Sequence, residues 1–255
     1  MIASVFRKKR NGVPIVTKEE LDSIGERLVQ DFCPQALIDP QPIDIDRFVT
    51  SYLGLKLDYQ YLSHCGVYLG MTVFNDTDRV PVYCPQKKRA EYISVKAGTV
   101  IIDSHLLSEK NEGRYRYTMG HEGGHGFMHY EFFEHNPNQL SLLQPDSAPM
   151  IQCRVDNSRE KGKPPTMWND HDRMEWQANR LSSVILMPAS MVRKVVLAPR
   201  RQQIVDGDLP SYYTGKLAHL FKVSYDAAFY RLKDLALIPR NAYINKSAAE
   251  FFRYY

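Results

Sequence analysis

Long apolar runs are missing from this 255-residue sequence. Nowhere do about 18 uninterrupted apolar residues occur, which excludes a transmembrane helix recognisable from hydropathy. The N-terminus, MIASVFRKKRNGVP, carries a basic cluster without the apolar stretch of a secretory signal, so the expected location is the cytoplasm. Cysteine is sparse as well. Cys33, Cys65, Cys84 and Cys153 form no C-x-x-C pair, which argues against a zinc knuckle and against a disulfide framework. Free thiols are expected, and although Cys65 and Cys84 could face each other across strands, burial is the plainer role. Charge of either sign is not in excess: a formal +4, with 24% charged and 44% hydrophobic residues, describes an ordinary globular chain. Its mildly basic surface tolerates nucleic acid or an acidic partner without demanding either. Internal repeats and low-complexity tracts are also absent, and the length permits one large domain or two small ones.

What is present begins with TKEELDSIGERLVQDF, where Thr17 and Glu20 give a capping-box signature and Leu21, Ile24, Leu28 and Phe32 recur at helical spacing. A helix over about 18–32 follows, and a second, shorter one is expected in IDIDRFVTSYLGL. Then come LKLDYQYL, GVYLGMTVFN, RVPVYC and EYISVKAGTVIID, rich in Tyr, Val, Ile and Leu, which predict a three- or four-stranded, largely antiparallel sheet. A helix from near Glu112 to near Phe133 comes next. Between Asn136 and Asp170 the pattern dissolves into a proline-punctuated loop, either a functional insertion or a mobile one. Helices resume in RMEWQANRLSSVILMP, ended by Pro188, and in ASMVRKVVLA. The last third, GKLAHLFKVSYDAAFYRLKDLALI, reads as two short helices with Ser224 capping the second.

TMGHEGGHGFMH, inside the long middle helix, carries the chemistry. At 3.6 residues per turn His121 and His125 lie about 40° apart around the axis, and Glu122 about 100° from His121. Two imidazoles one turn apart can close on one zinc, and the carboxylate between them sits where a zinc-bound water would be, the H-E-x-x-H pattern of zinc metallopeptidases. A polar helix face with histidines at helical spacing is the plain alternative. The pattern does not continue as the metzincin motif, because Met128 and Glu131 stand where that subclass needs glycine and histidine.

Three protein ligands are usual for a catalytic zinc. The downstream candidates are His129, His135, Glu160, Asp170, His171, Asp172 and Glu175. His129 lies about 12 Å along the axis from His121, too far for both to reach one ion on a straight helix, so it is expected behind the ligands or as a polar cap of the core. Glu175 is the best acid, standing on a helix four residues before Asn179, whose amide could orient a ligand histidine or the substrate. Spacing alone leaves Glu175 evenly poised between a ligand and a surface carboxylate.

HEGGH, then EWQANRLSSVILMP, then FKVSYDAAFYRLKDLALI, in that order, resemble the ImmA/IrrE family of zinc metallo-endopeptidases over about 17–239. The resemblance implies His121, His125 and Glu175 as zinc ligands and Glu122 as general base. It also implies a helix-turn-helix repressor of a mobile element or stress regulon as protein substrate, lying extended on an edge strand of the sheet. Two departures stand out. Gly123, Gly124 and Gly126 occupy places where the family more often has bulky apolar residues, each costing an isolated helix about 1 kcal/mol. The 136–170 insertion also lengthens the path from His125 to Glu175. Cys153 within it could serve as an inhibitory thiolate, although an inert cysteine is the plainer reading.

The resulting expectation is an α+β chain: a flexible tail over 1–16, a zincin-like metallopeptidase domain over 17–206 and a helical C-terminal part over 207–255. That last part also looks like a helix-turn-helix. Its second helix offers Tyr225, Asp226, Phe229 and Arg231 to a groove, only one of them basic, with Lys216, Lys222 and Lys233 sparse around it, so direct DNA binding is disfavoured. The rival to an enzyme is a non-catalytic metal-binding or repressor-binding module. A monomer is the default.

Overall fold

Thr17 opens the first helix as its sequence implies. Its hydroxyl accepts from the Glu20 N–H at 3.1 Å while Glu20 Oε2 accepts from the Thr17 N–H at 2.7 Å, closing the capping box of α1 (Lys18–Phe32). This computed structural model describes residues 6–134, 150–154, 164–199 and 208–244. The second helix is shorter than its periodicity suggests: α2 (Ile45–Arg47), capped by Asp44, runs directly into a π turn over Phe48–Tyr52.

The β region forms β1 (Lys56–Gln60), β2 (Tyr68–Val73), β3 (Thr77–Cys84), β4 (Arg89–Val95) and β5 (Thr99–Asp103). EYISVKAGTVIID, which reads as one segment, is therefore two strands, separated where Gly98 adopts φ +74°. A sixth strand, β6 (Met150–Arg154), lies inside the stretch expected to be loop; five residues among prolines give periodicity too little to register. It pairs antiparallel with β2 and completes a sheet of order β1-β5-β2-β6, in which β5 is antiparallel to β2 and parallel to β1. Most of the rest of the insertion, and the Cys153 side chain, lie outside the described residues. Cys33, Cys65 and Cys84 are free, Cys65 being exposed.

Strand alternation decides what each face meets. Val100 and Ile102 of β5 join the helices in the main core, while Ile101, Met71 and Val73 pack with Val80, Val82 and Val95 from the β3–β4 hairpin on the other face. Every residue of β5 is buried, as suits a strand covered on both sides. Against the helical side stand α3 (Glu112–Met128), the one-turn α4 (Tyr130–Phe133) and α5 (Asp170–Leu186). The chain continues through α6 (Ala189–Leu197), α7 (Leu209–Phe221) and α8 (Tyr225–Asp234). Leu217, Phe221, Ala228 and Leu232 of the last two share one hydrophobic cluster with Leu21, Leu28, Leu181 and Ile185, so the core runs across residue 207. Phe229 and Arg231, two of the four side chains that a groove-reading helix would use, are buried in it.

The N-terminal segment departs from its reading as a flexible tail. Residues 6–16 fold back through a turn at Gly12 (φ +88°), with Lys8 bridged to Pro14 and both Val13 and Pro14 buried. Gly12 is required there twice over, since a Cβ would also stand 3.0 Å from the backbone of Glu131 and Phe132. The basic cluster finds acids: Lys8 pairs with Glu131, and Lys9 and Asn11 both bond Asp170. Among the described residues, no helix is long and apolar enough to cross a membrane.

Candidate metal centre

Glycine is what lets α3 sit where it does. The helix is buried from Thr118 to His125, enclosed by α5, the sheet and the turn after α2. A Cβ on Gly120 would stand 2.6 Å from Ser182 Oγ, one on Gly123 2.8 Å from Val49, and one on Gly126 2.6 Å from Leu55. Gly124 faces Ala178, one turn before Ser182, so two small residues on α3 meet two on α5 and the axes approach closely. Gly120 and Gly124 thus bring Glu175, on α5, within reach of the histidines on α3, while Gly123 and Gly126 make room for Val49 and Leu55. From the sheet, Gly70 of β2 gives a matching clearance: a Cβ there would meet Glu122 Oε1 at 2.7 Å and Thr118 at 2.8 Å.

His121 Nε2 and His125 Nε2 are 3.0 Å apart, and they lie 3.4 and 3.3 Å from the two carboxylate oxygens of Glu175. Around a tetrahedral zinc with bonds of 2.0–2.1 Å, neighbouring ligand atoms are separated by about 3.3 Å. The donor set fits a metal ion in distance as well as chemistry, and among the described residues this trio is the group of histidine, cysteine and acidic side chains able to hold one. Both histidines are buried while the Glu175 side chain is 41% exposed, so the open side of the centre is the α5 side. Of the other candidates for third ligand, His135 and Glu160 lie outside the described residues. Asp170 is engaged by Lys9 and Asn11, Asp172 closes the N-terminal cap of α5 with Asn169, and His171 is exposed with its ring edge-on to Phe132.

The remaining ring nitrogens are held from behind. His121 Nδ1 donates to Asn179 Oδ1 at 3.1 Å, which leaves Nε2 with its lone pair facing the cluster. His129 stands behind His125, with 2.9 Å between their Nδ1 atoms, and its own Nε2 is 2.9 Å from Gln177 Oε1. Glu122 is fully buried beside the ligands, and Thr72 on β2 donates to its Oε2 at 2.5 Å and to its backbone carbonyl at 3.0 Å. Sequence reasoning missed Thr72 and Gln177. A threonine in a strand carries no signal of its own, and Gln177, two residues after Glu175, lies about 200° round the helix from it, so helical spacing does not group the two.

Desolvation pushes the pKa of His121 down from 6.5 to about 4 and that of His125 down to about 3; near His121, the ring of His125 adds to the effect and Glu175 opposes it. Burial lowers His129 too. The three rings are neutral at pH 7, the form in which a ring nitrogen can bind a metal. Unfolded, they take protons below about 6.5 that the folded metal-free chain refuses, so this contribution to stability is complete above about 6.5 and is lost as the pH falls through 4 toward 3. Chelator-treated protein is therefore expected to melt at steadily lower temperature as the pH drops from about 7 to about 5, before most carboxylates titrate. A flat profile over that interval would contradict the neutral, buried cluster.

Residues 161–233 match the model of the Peptidase_M78 family, described as the IrrE N-terminal-like domain. The match supports the ImmA/IrrE resemblance of the motifs and a metallopeptidase type of function. It covers Glu175 and begins beyond α3, so it is the fold that brings His121 and His125 to the matched segment. No curated protein matches the chain.

Proposed function

With residues 161–233 matched to the IrrE N-terminal-like domain, we propose that the chain is a zinc-dependent endopeptidase in which His121, His125 and Glu175 hold the metal and Glu122 is the general base. The observation that carries the reading is the spacing of the three donor groups at the edge length of a zinc tetrahedron, with a buried carboxylate beside them. Zinc at this position would acidify a water molecule toward pH 7 and polarise the scissile carbonyl. Glu122 takes the water proton and passes it to the leaving amine, held in place by the Thr72 hydroxyl. Asn179 fixes the ring of His121, and burial holds both histidines in the neutral form in which they would bind the metal.

The substrate is a protein, and the family resemblance suggests a helix-turn-helix repressor of a mobile element or stress regulon. An extended peptide is expected along the edge of the sheet formed by β6, the strand next to β2 and beside α3. Zinc content tests the ligand set. Purified wild type, stripped of loosely bound metal, should retain about one zinc per chain, and Glu175→Ala should lose most of it. A wild type without zinc, or a Glu175→Ala protein that keeps it, would remove the reading.

A further inference from the structure

Gln177 Nε2 donates to the carbonyl of Pro14 at 2.8 Å, and both residues are buried. A backbone carbonyl can only accept, so this contact decides which end of the Gln177 amide faces Pro14: the NH₂ group does, and Oε1 is turned to His129. Oε1 can also only accept, hence His129 Nε2 carries the proton that it receives at 2.9 Å. A neutral His129 then has an unprotonated Nδ1, and the 2.9 Å contact between the two Nδ1 atoms requires His125 to donate there. With its proton on Nδ1, His125 presents the Nε2 lone pair to the cluster of His121 and Glu175.

We propose that the N-terminal segment is a working part of the metal centre: the Pro14 carbonyl sets the direction of a hydrogen-bond relay, through Gln177 and His129, that holds His125 in its metal-binding tautomer. The inference rests on the metal reading given above and extends it to positioning residues that never touch the ion. The segment is placed for the task by its own contacts. The turn at Gly12 lies against the backbone of α4 just beyond His129, Lys9 and Asn11 tie it to the first residue of α5, and Lys8 ties it to Glu131 of α4. It therefore bridges α4, which directly follows the histidine-bearing α3, and the start of α5, which carries Glu175. Without Pro14 as a fixed acceptor the amide could turn over, offer its NH₂ to His129 and reverse the whole relay, putting a proton on His125 Nε2 where the metal must bind.

Two side-chain changes separate direction from shape. Gln177→Glu removes the bond to Pro14 but leaves an acceptor of nearly the same size that cannot reverse, so it should rescue zinc affinity. Gln177→Leu keeps the bulk and removes the acceptor, and should weaken zinc binding by about 10–100-fold. Zinc affinity would be measured on the full chain by competition with a chromophoric chelator. Long-range proton–nitrogen NMR spectra of the imidazoles would report the tautomers directly. The expected result is a proton on Nδ1 of His125 and on Nε2 of His129 in the wild type and Gln177→Glu, with mixed tautomers in Gln177→Leu. A His129 protonated on Nδ1 in the wild type, or a Gln177→Leu protein that binds zinc like the wild type, would overturn the relay and leave the metal site standing. A wild type that binds no zinc would instead sink the metal reading and take the relay with it.

Discussion

Glu122→Gln should keep its zinc and lose peptide cleavage by a factor on the order of 10²–10⁴, the usual contribution of a positioned general base. The substitution changes one atom in a site with no spare room: Glu122 is fully buried, with Gly70 of β2 leaving space for its carboxylate and none for a larger group. Thr72 can still donate to the remaining carbonyl oxygen of the glutamine, so the side chain should stay where it is. What disappears is the ability to take a proton. Retained zinc with lost cleavage separates this role from the ligand role of Glu175, whose removal should empty the site. It also separates an enzyme from the rival binding module: a module that restrains a repressor by holding it would keep its effect in the Gln variant. Cleavage at the wild-type rate would remove Glu122 from the mechanism.

How much of this could be read beforehand depends on how local each interaction is. Helix α1 was legible because its signals, the Thr17–Glu20 box and the Leu21, Ile24, Leu28 stripe, lie within one stretch of chain. His121, Glu122 and His125 were legible for the same reason, since one turn of helix places them together. Glu175 was not settled by spacing, because fifty residues separate it from His125 and only the packing of α5 on α3 brings it near. The glycines of HEGGHG looked like a weakness of the helix, whereas Ser182, Val49 and Leu55 occupy the space their side chains would need. Asn179 could be placed from its distance to Glu175 along one helix. Thr72, Gln177 and Pro14 could not, since each meets the site across elements that no local pattern connects. Strand β6 escaped for a further reason: its order comes from pairing with β2, not from its own alternation.

Asp22→Ala is expected to cost roughly 3–5 kcal/mol, because it removes the acid shared by two buried arginines. Asp22, on α1, accepts from Arg231 of α8 at 2.9 Å and from Arg180 of α5 at 2.5 Å. The side chain of Arg231 is fully buried and that of Arg180 is 4% exposed, so neither guanidinium can turn to water when its partner goes. Arg180 retains Asp234, at 2.5 Å, whereas among the described residues the hydrogen bond that Arg231 keeps is to the Met187 carbonyl, at 3.0 Å. For a chain of this size the loss should appear as a fall of roughly 10 °C in melting temperature. The cause can be isolated by taking the stranded charge away as well. Asp22→Leu combined with Arg231→Met replaces the pair by apolar groups of similar bulk and leaves Arg180 with Asp234, so it should be clearly more stable than Asp22→Ala alone. If the double variant melts as low as the single one, packing rather than uncompensated charge dominates at this junction. The outcome bears on the metal centre too, because α5 carries Glu175, Gln177 and Asn179 in the two turns around Arg180. With the Arg231 charge stranded beside it, α5 of Asp22→Ala should lose zinc at temperatures below the main transition, whereas the double variant, which lacks that charge, should keep the metal until the whole chain melts.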